Sequence, residues 1–165
     1  MPTKLISPCL WFDDQAEAAV AFYTGIFPNS RVIETSYYSE AGQAVHKRPP
    51  GSVMTISFVL DGQPFTALNG GPVFTFNEAV SFEINCETAQ EADHYWEKLS
   101  EGGDPAAQQC GWLKDRFGLS WQIVPRRLVE LLKDPDRATR DRVMESMLRM
   151  KKIDMAEIER AAAGG

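Results

Sequence analysis

The sequence predicts an α+β chain made of two β-α-β-β-β modules followed by a helical extension. Three observations carry this. A strand, a capping box and an amphipathic helix occur in that order twice, with the boxes at Asp14/Glu17 and Thr88/Glu91 and with Glu17-Ala18 matching Glu91-Ala92 in register. Strand patterns follow each helix. No strand pattern occurs after Pro125. The boundaries read as paired modules over 1–125, about 1–70 and 71–125, and a helical extension over 126–165.

Lys4 to Phe12 reads as a strand. Asp14 is the expected N-cap of a helix over Ala16 to Phe27, whose stripe is Ala19, Val20, Phe22, Tyr23 and Ile26. Pro28-Asn29 stops it. Arg31 to Tyr38 is a strand, and Glu40 to Gly51, rich in Gly, Pro and charge, is an exposed loop. Val53 to Leu60 and Pro64 to Asn69 are strands joined by an Asp61-Gly62 hairpin turn. Asn69-Gly70-Gly71-Pro72 breaks the halves. In the second half Val80 to Cys86 is a strand and Ala89 to Ser100 the helix capped by Thr88. Ala106 to Lys114 is one broken strand or two short ones. Leu119 to Val124 is the last strand, set up by the Asp115 to Gly118 turn and ended by Pro125, which has no N–H for a ladder.

In the extension, Leu128, Val129, Leu131 and Leu132 form a short amphipathic helix, broken at Asp134-Pro135-Asp136. Val143, Met144, Met147, Leu148 and Met150 line a second helix, and Asp154 with Glu157 caps a third. The stripes fit a clasp packed on the sheet, or a methionine-rich face for a partner.

A chain of 165 residues, 44% hydrophobic, can form one compact domain or two small modules sharing a core. A net charge of −6 argues against non-specific nucleic-acid binding. No apolar run reaches membrane-spanning length, and Met1 to Ser7 lacks a signal peptide's apolar region. Three cysteines, Cys9, Cys86 and Cys110, without a Cys-x-x-Cys pair, favour reduced thiols and a cytoplasmic location.

The segment from Gly111 to Pro125, Gly-Trp-Leu-Lys-Asp-Arg-Phe-Gly-Leu-Ser-Trp-Gln-Ile-Val-Pro, resembles the end of PhnB-like proteins of the vicinal oxygen chelate superfamily. So do Pro8-Cys9-Leu10-Trp11-Phe12 through Phe22-Tyr23, Ala67-Leu68-Asn69-Gly70-Gly71-Pro72, and Val143-Met144-Glu145 through Lys151-Lys152-Ile153-Asp154. The family is often labelled a 3-demethylubiquinone-9 3-methyltransferase domain. The superfamily also covers glyoxalase, bleomycin-resistance and dioxygenase proteins. The resemblance implies a curved mixed sheet with a cleft, and a homodimer. The methionine-rich stripe and the sheet edges that need covering point to a dimer as well.

In such a cleft Trp11, Asn69, Glu83 and Gln122 are the expected lining, with Cys9 and Ser81 beside them. Strand alternation puts Trp11 on the Cys9 face, Ser81 with Glu83, and Trp121 opposite Gln122. Alone, a strand glutamate such as Glu83 is usually just solvated. Cys9 has no basic neighbour in sequence and reads as a buried, inert thiol. The resemblance puts metal ligands, where family members have them, at Ser7 (or Cys9), Asn69, Ser81 and Gln122. None of these is a His or Glu, so no metal and no cofactor are expected. His46 and His94 fall outside those strands. There is no glycine-rich first turn of the kind a nucleotide-dependent methyl transfer uses. Three readings stand: a small-organic-molecule binding protein or enzyme without metal, a metal-dependent lyase, isomerase or dioxygenase, and an interaction protein with a vestigial cleft.

Overall fold

The computed structural model describes residues 6–165. The chain divides between Phe76 and Asn77 into two compact units.

The first unit runs β1 (Cys9–Phe12), α1 (Ala16–Ile26), β2 (Arg31–Tyr37), α2 (Gln43–His46), β3 (Val53–Leu60) and β4 (Gln63–Asn69). Its sheet has the order β1-β4-β3-β2, with β1 parallel to β4 and the other pairs antiparallel. The first strand begins at Cys9 rather than Lys4; Lys4 and Leu5 lie outside the described residues. The hairpin turn is as expected, with Asp61 at φ 45° and Gly62 at φ 77°, the left-handed pair that a two-residue hairpin needs. Helix α1 packs on β2, β3 and β4. Leu10, Phe12, Ile56, Phe58, Leu60, Phe65 and Ala67 are buried with its Ala19, Val20, Tyr23 and Ile26.

Two expectations need correction in this unit. The Glu40 to Gly51 segment holds the one-turn helix α2, bounded by left-handed Gly42 and Lys47. And Asp14 does not cap α1. The N-cap position is Gln15, which makes no side-chain cap bond. The cap comes from Asn69 at the end of β4: Ala16 N–H donates to its Oδ1 at 2.8 Å, and its Nδ2 donates to Glu17 Oε2 at 2.8 Å. A capping box is thus assembled across the fold instead of along the helix.

The second unit runs β5 (Ser81–Cys86), α3 (Ala89–Ser100), a 3₁₀ turn (Pro105–Ala107), β6 (Trp112–Lys114), β7 (Ser120–Pro125), α4 (Arg126–Leu131), α5 (Arg137–Met147) and α6 (Met155–Ala163). Its three-stranded sheet has the order β5-β7-β6, β5 parallel and β6 antiparallel to β7. The expected box on α3 is present: Glu91 N–H donates to Thr88 Oγ1 at 3.2 Å, and Thr88 N–H to Glu91 Oε2 at 3.3 Å. The Ala106 to Lys114 stretch gives one short strand plus a single bridge between Gln109 and Trp112. Cys110 at φ 51° and Gly111 at φ 83° are consecutive left-handed residues, and they interrupt the ladder.

Helices α4, α5 and α6 close on a core of Leu128, Leu131, Val143, Met150 and Ile158. Of the expected second-helix stripe, Val143 and Met150 face inward while Met144 and Leu148 are exposed. Asp154 caps α6 as read from the sequence, accepting from Ala156 N–H and Glu157 N–H. Two backbone bonds, Cys110 N–H to Met150 O and Gly111 N–H to Lys151 O, both 2.8 Å, tie the extension to the strand leader.

Candidate functional site

Each sheet has one face under a helix and one face without. In the first unit, the alternation that buries Leu10 and Phe12 turns Cys9 and Trp11 to the uncovered face. The register aligns Cys9 with Thr66 and Ser57, and Trp11 with Leu68 and Thr55. Ser36 joins the second row, its hydroxyl 2.5 Å from that of Thr55. The face therefore carries an indole, a thiol, several hydroxyls and the Leu68 side chain. Thr55, Ser57 and Thr66 were not expected there, although Thr-Ile-Ser-Phe at 55–58 has the period of two that reveals them.

Trp11 is held in place. Its Nε1–H donates to Gly71 O at 2.8 Å, and its ring meets Phe74 edge-on with centroids 4.9 Å apart. A Cβ on Gly70 would come within 2.3 Å of the indole, so only glycine fits there. Cys9 is exposed, which corrects the expectation of a buried thiol. Local desolvation of the sulfur still pushes its pKa up, so the thiol is not activated.

Asn69 does not lie on the open face. It is 2% exposed and points to the α1 side, where its amide serves Ala16, Glu17 and the Val53 carbonyl. Its own carbonyl accepts from the Tyr38 hydroxyl at 2.6 Å. The expected lining position is thus one residue out of phase: Leu68 is the residue of that strand end that faces outward.

In the second unit, Leu113, Trp121, Ile123 and Cys86 are buried on the α3 side. Trp121 donates from Nε1 to Asp115 Oδ2 at 2.8 Å, confirming its place opposite Gln122. Asp115 also accepts from Phe117 N–H and Leu119 N–H, which fixes the turn that Gly118, at φ 86°, completes. The other face carries Ser81, Glu83, Asn85, Gln122, Trp112 and Lys114. Gln122 Nε2 donates to Ser81 Oγ at 2.9 Å. Glu83 stands in register with Gln122, and Trp112 flanks Gln122 on the other side. Glu83 is exposed and has no partner among the described residues. Nor does any described group donate to Gln122 Oε1. Lys114 pairs with Glu78, whose carboxyl that hydrogen bond holds below the usual range. Trp112 was missed by sequence reasoning because its strand pattern is only three residues long.

A metal held as the resemblance implies would rest on Ser7 (or Cys9), Asn69, Ser81 and Gln122. Ser81 and Gln122 are neutral and bonded to each other, Asn69 is committed to α1, and Ser7 is a neutral hydroxyl. His46 sits on α2, accepting from Arg48 N–H at Nδ1 and lying 4.5 Å from the Tyr38 ring. His94 is on α3 beside Tyr95. Among the described residues no three His, Cys, Asp or Glu side chains converge. This donor set does not fit zinc, iron, nickel or manganese.

The paired strand–helix modules with one uncovered sheet face agree with the fold that the resemblance implies. The chain belongs to the PhnB-like family described as 3-demethylubiquinone-9 3-methyltransferase, whose model matches residues 4–124. It is 33% identical to a PhnB protein from Bacillus cereus, with 74% of this chain and 99% of that one covered and a TM-score of 0.62. The FosX fosfomycin resistance protein of Listeria monocytogenes, solved with Mn(II) and sulfate, is 18% identical with a TM-score of 0.53 over 81% of this chain and 98% of that one. FosX from Mesorhizobium loti is 15% identical, with a TM-score of 0.55 over 81% and 100%. These last two share the fold. No curated protein matches the chain. Among the described residues no helix is long and apolar enough to cross a membrane.

Proposed function

We propose that the protein binds a small organic molecule, as a binding protein or an enzyme of its superfamily, without a resident metal. The observation that carries this is the row Glu83–Gln122–Trp112: an unpaired carboxylate and an unengaged amide oxygen beside an indole on an uncovered sheet face. Both oxygens accept hydrogen bonds, so the ligand supplies donors, an amine or hydroxyl, on a flat apolar body suited to Trp112. Ser81 orients the Gln122 amide and is a positioning residue in this reading. Cys9 and Trp11 are the candidates on the first unit's uncovered face. Methyl transfer, the activity in the family's description, is not part of the proposal, since neither sheet is a doubly wound parallel one with a nucleotide turn. The protein is further proposed to be a cytoplasmic homodimer, a location that the free thiols of Cys9, Cys86 and Cys110 support.

Thermal-shift screening of the full chain against aromatic amines, aromatic alcohols and antibiotics tests the reading. A stabilising compound is expected, with at least a tenfold weaker effect on Glu83→Ala and on Gln122→Ala. No stabilisation over a broad panel would favour an interaction protein. Elemental analysis of untagged protein checks the metal: near-stoichiometric zinc, nickel, iron or manganese that is lost in Gln122→Ala would promote the metalloenzyme reading.

A further inference from the structure

On the side of the second sheet away from Glu83 and Gln122, the C-terminal helices border an open cavity of about 720 Å³. Cys86 and Pro125, paired at the ends of β5 and β7, form part of its lining. Ala89 and Ala92 of α3 supply one wall, and Ile153, Met155 and Ala156 another. Its volume lies within the range of small-molecule sites, about 300–1,000 Å³. Much of the wall comes from Pro125 onward, beyond the residues that the family model matches. The cavity is thus shared between the end of the matched region and the extension.

The charged groups around it are all engaged. Arg126 bonds Glu87 at 3.1 Å, Arg127 bonds Glu159 at 2.7 Å, and Lys152 pairs with Asp93. The remaining carboxylate, Asp154, accepts the first amides of α6. Three cations, Arg126, Arg127 and Lys152, face four carboxylates, Glu87, Asp93, Asp154 and Glu159, so the charges nearly cancel and an anionic ligand gains no net attraction over a neutral one. Cys86 adds no charge: burial, with Glu91 nearby, pushes its thiol up to about 11, so it stays protonated at neutral pH. We propose that this cavity is a second binding site, taking a neutral small organic molecule with an apolar body. It is independent of the Glu83–Gln122 reading.

The test uses a matched pair of fluorescent probes on the full chain. N-phenyl-1-naphthylamine is neutral, and 8-anilinonaphthalene-1-sulfonate has the same ring system plus a sulfonate. The neutral probe is expected to show saturable fluorescence enhancement and to bind at least tenfold more tightly than the sulfonate. Ala89→Trp and Ala156→Trp substitute exposed positions on the cavity wall. Each should weaken the neutral probe at least tenfold with an unchanged circular dichroism spectrum. Ala138→Trp, exposed on α5 and outside the cavity, should leave the affinity as it was. No saturable enhancement, equal or tighter binding of the sulfonate, or affinity that survives both wall substitutions would each overturn the proposal.

Discussion

Asn69 caps a helix that begins 53 residues before it. Its two amide atoms serve opposite partners, Ala16 N–H and the Glu17 carboxylate, in a site that is 2% exposed. Asn69→Ala should therefore lower stability by about 2–3 kcal/mol in urea denaturation, the cost of a lost cap plus buried groups left unpaired. An unchanged midpoint would show that the amide is dispensable to the fold. Cys86 gives a second residue-scale prediction. Its folded pKa, about 11, lies above the ordinary 9.0, so its stability contribution is complete below pH 9 and is lost as pH rises towards 11. The gap in melting temperature between wild type and Cys86→Ala should narrow over that window, and a constant gap would contradict the shift. Sequence showed which residue types stand at these positions. It could not show which way Asn69 turns, because the helix face of β4 is set by packing on α1, far away in the chain.

Elements were legible where their signals are local. The Thr88/Glu91 box, the Asp154 cap and the Asp115 to Gly118 turn close within a few residues, and all three are where the pattern puts them. The β6 region was not, because Cys110 and Gly111 leave the strand conformation to meet Met150 and Lys151, forty residues on. Gly111 combines φ 83° with a Cβ position only 2.9 Å from Ile123 O and 3.2 Å from Ile153 Cγ1. Gly111→Ala should cost about 2 kcal/mol through backbone strain, and it should loosen the helical extension. Limited proteolysis should then cut near Asp134-Pro135 faster than in wild type. Asp115→Ala acts on the turn instead, leaving Trp121 Nε1–H and two amides without their acceptor. A loss of about 3 kcal/mol is expected, with tryptophan emission shifted to longer wavelength. A stable variant with unshifted emission would mean that other groups satisfy those donors.

At the scale of the whole molecule, the proposed homodimer follows from what one chain leaves exposed. Strand β2 is the last strand of its sheet, and it presents Val32 at 50%, Ile33 at 52% and Tyr37 at 58% exposure. An apolar edge strand of this kind is a template for pairing and is normally covered. A second apolar pair, Met144 and Leu148, stands outward on the extension at 42% and 54%. The two surfaces make separable predictions. Sedimentation at micromolar concentration should give a species of twice the 18.4 kDa chain mass. If the β2 edge is the contact, Ile33→Lys should shift the population to the single chain, because it replaces an apolar contact by an ammonium whose desolvation is costly. Leu148→Lys should then leave the mass unchanged. The reverse pattern would assign the contact to the helices, and a species of 18.4 kDa alone for the wild type would remove the dimer from the proposal.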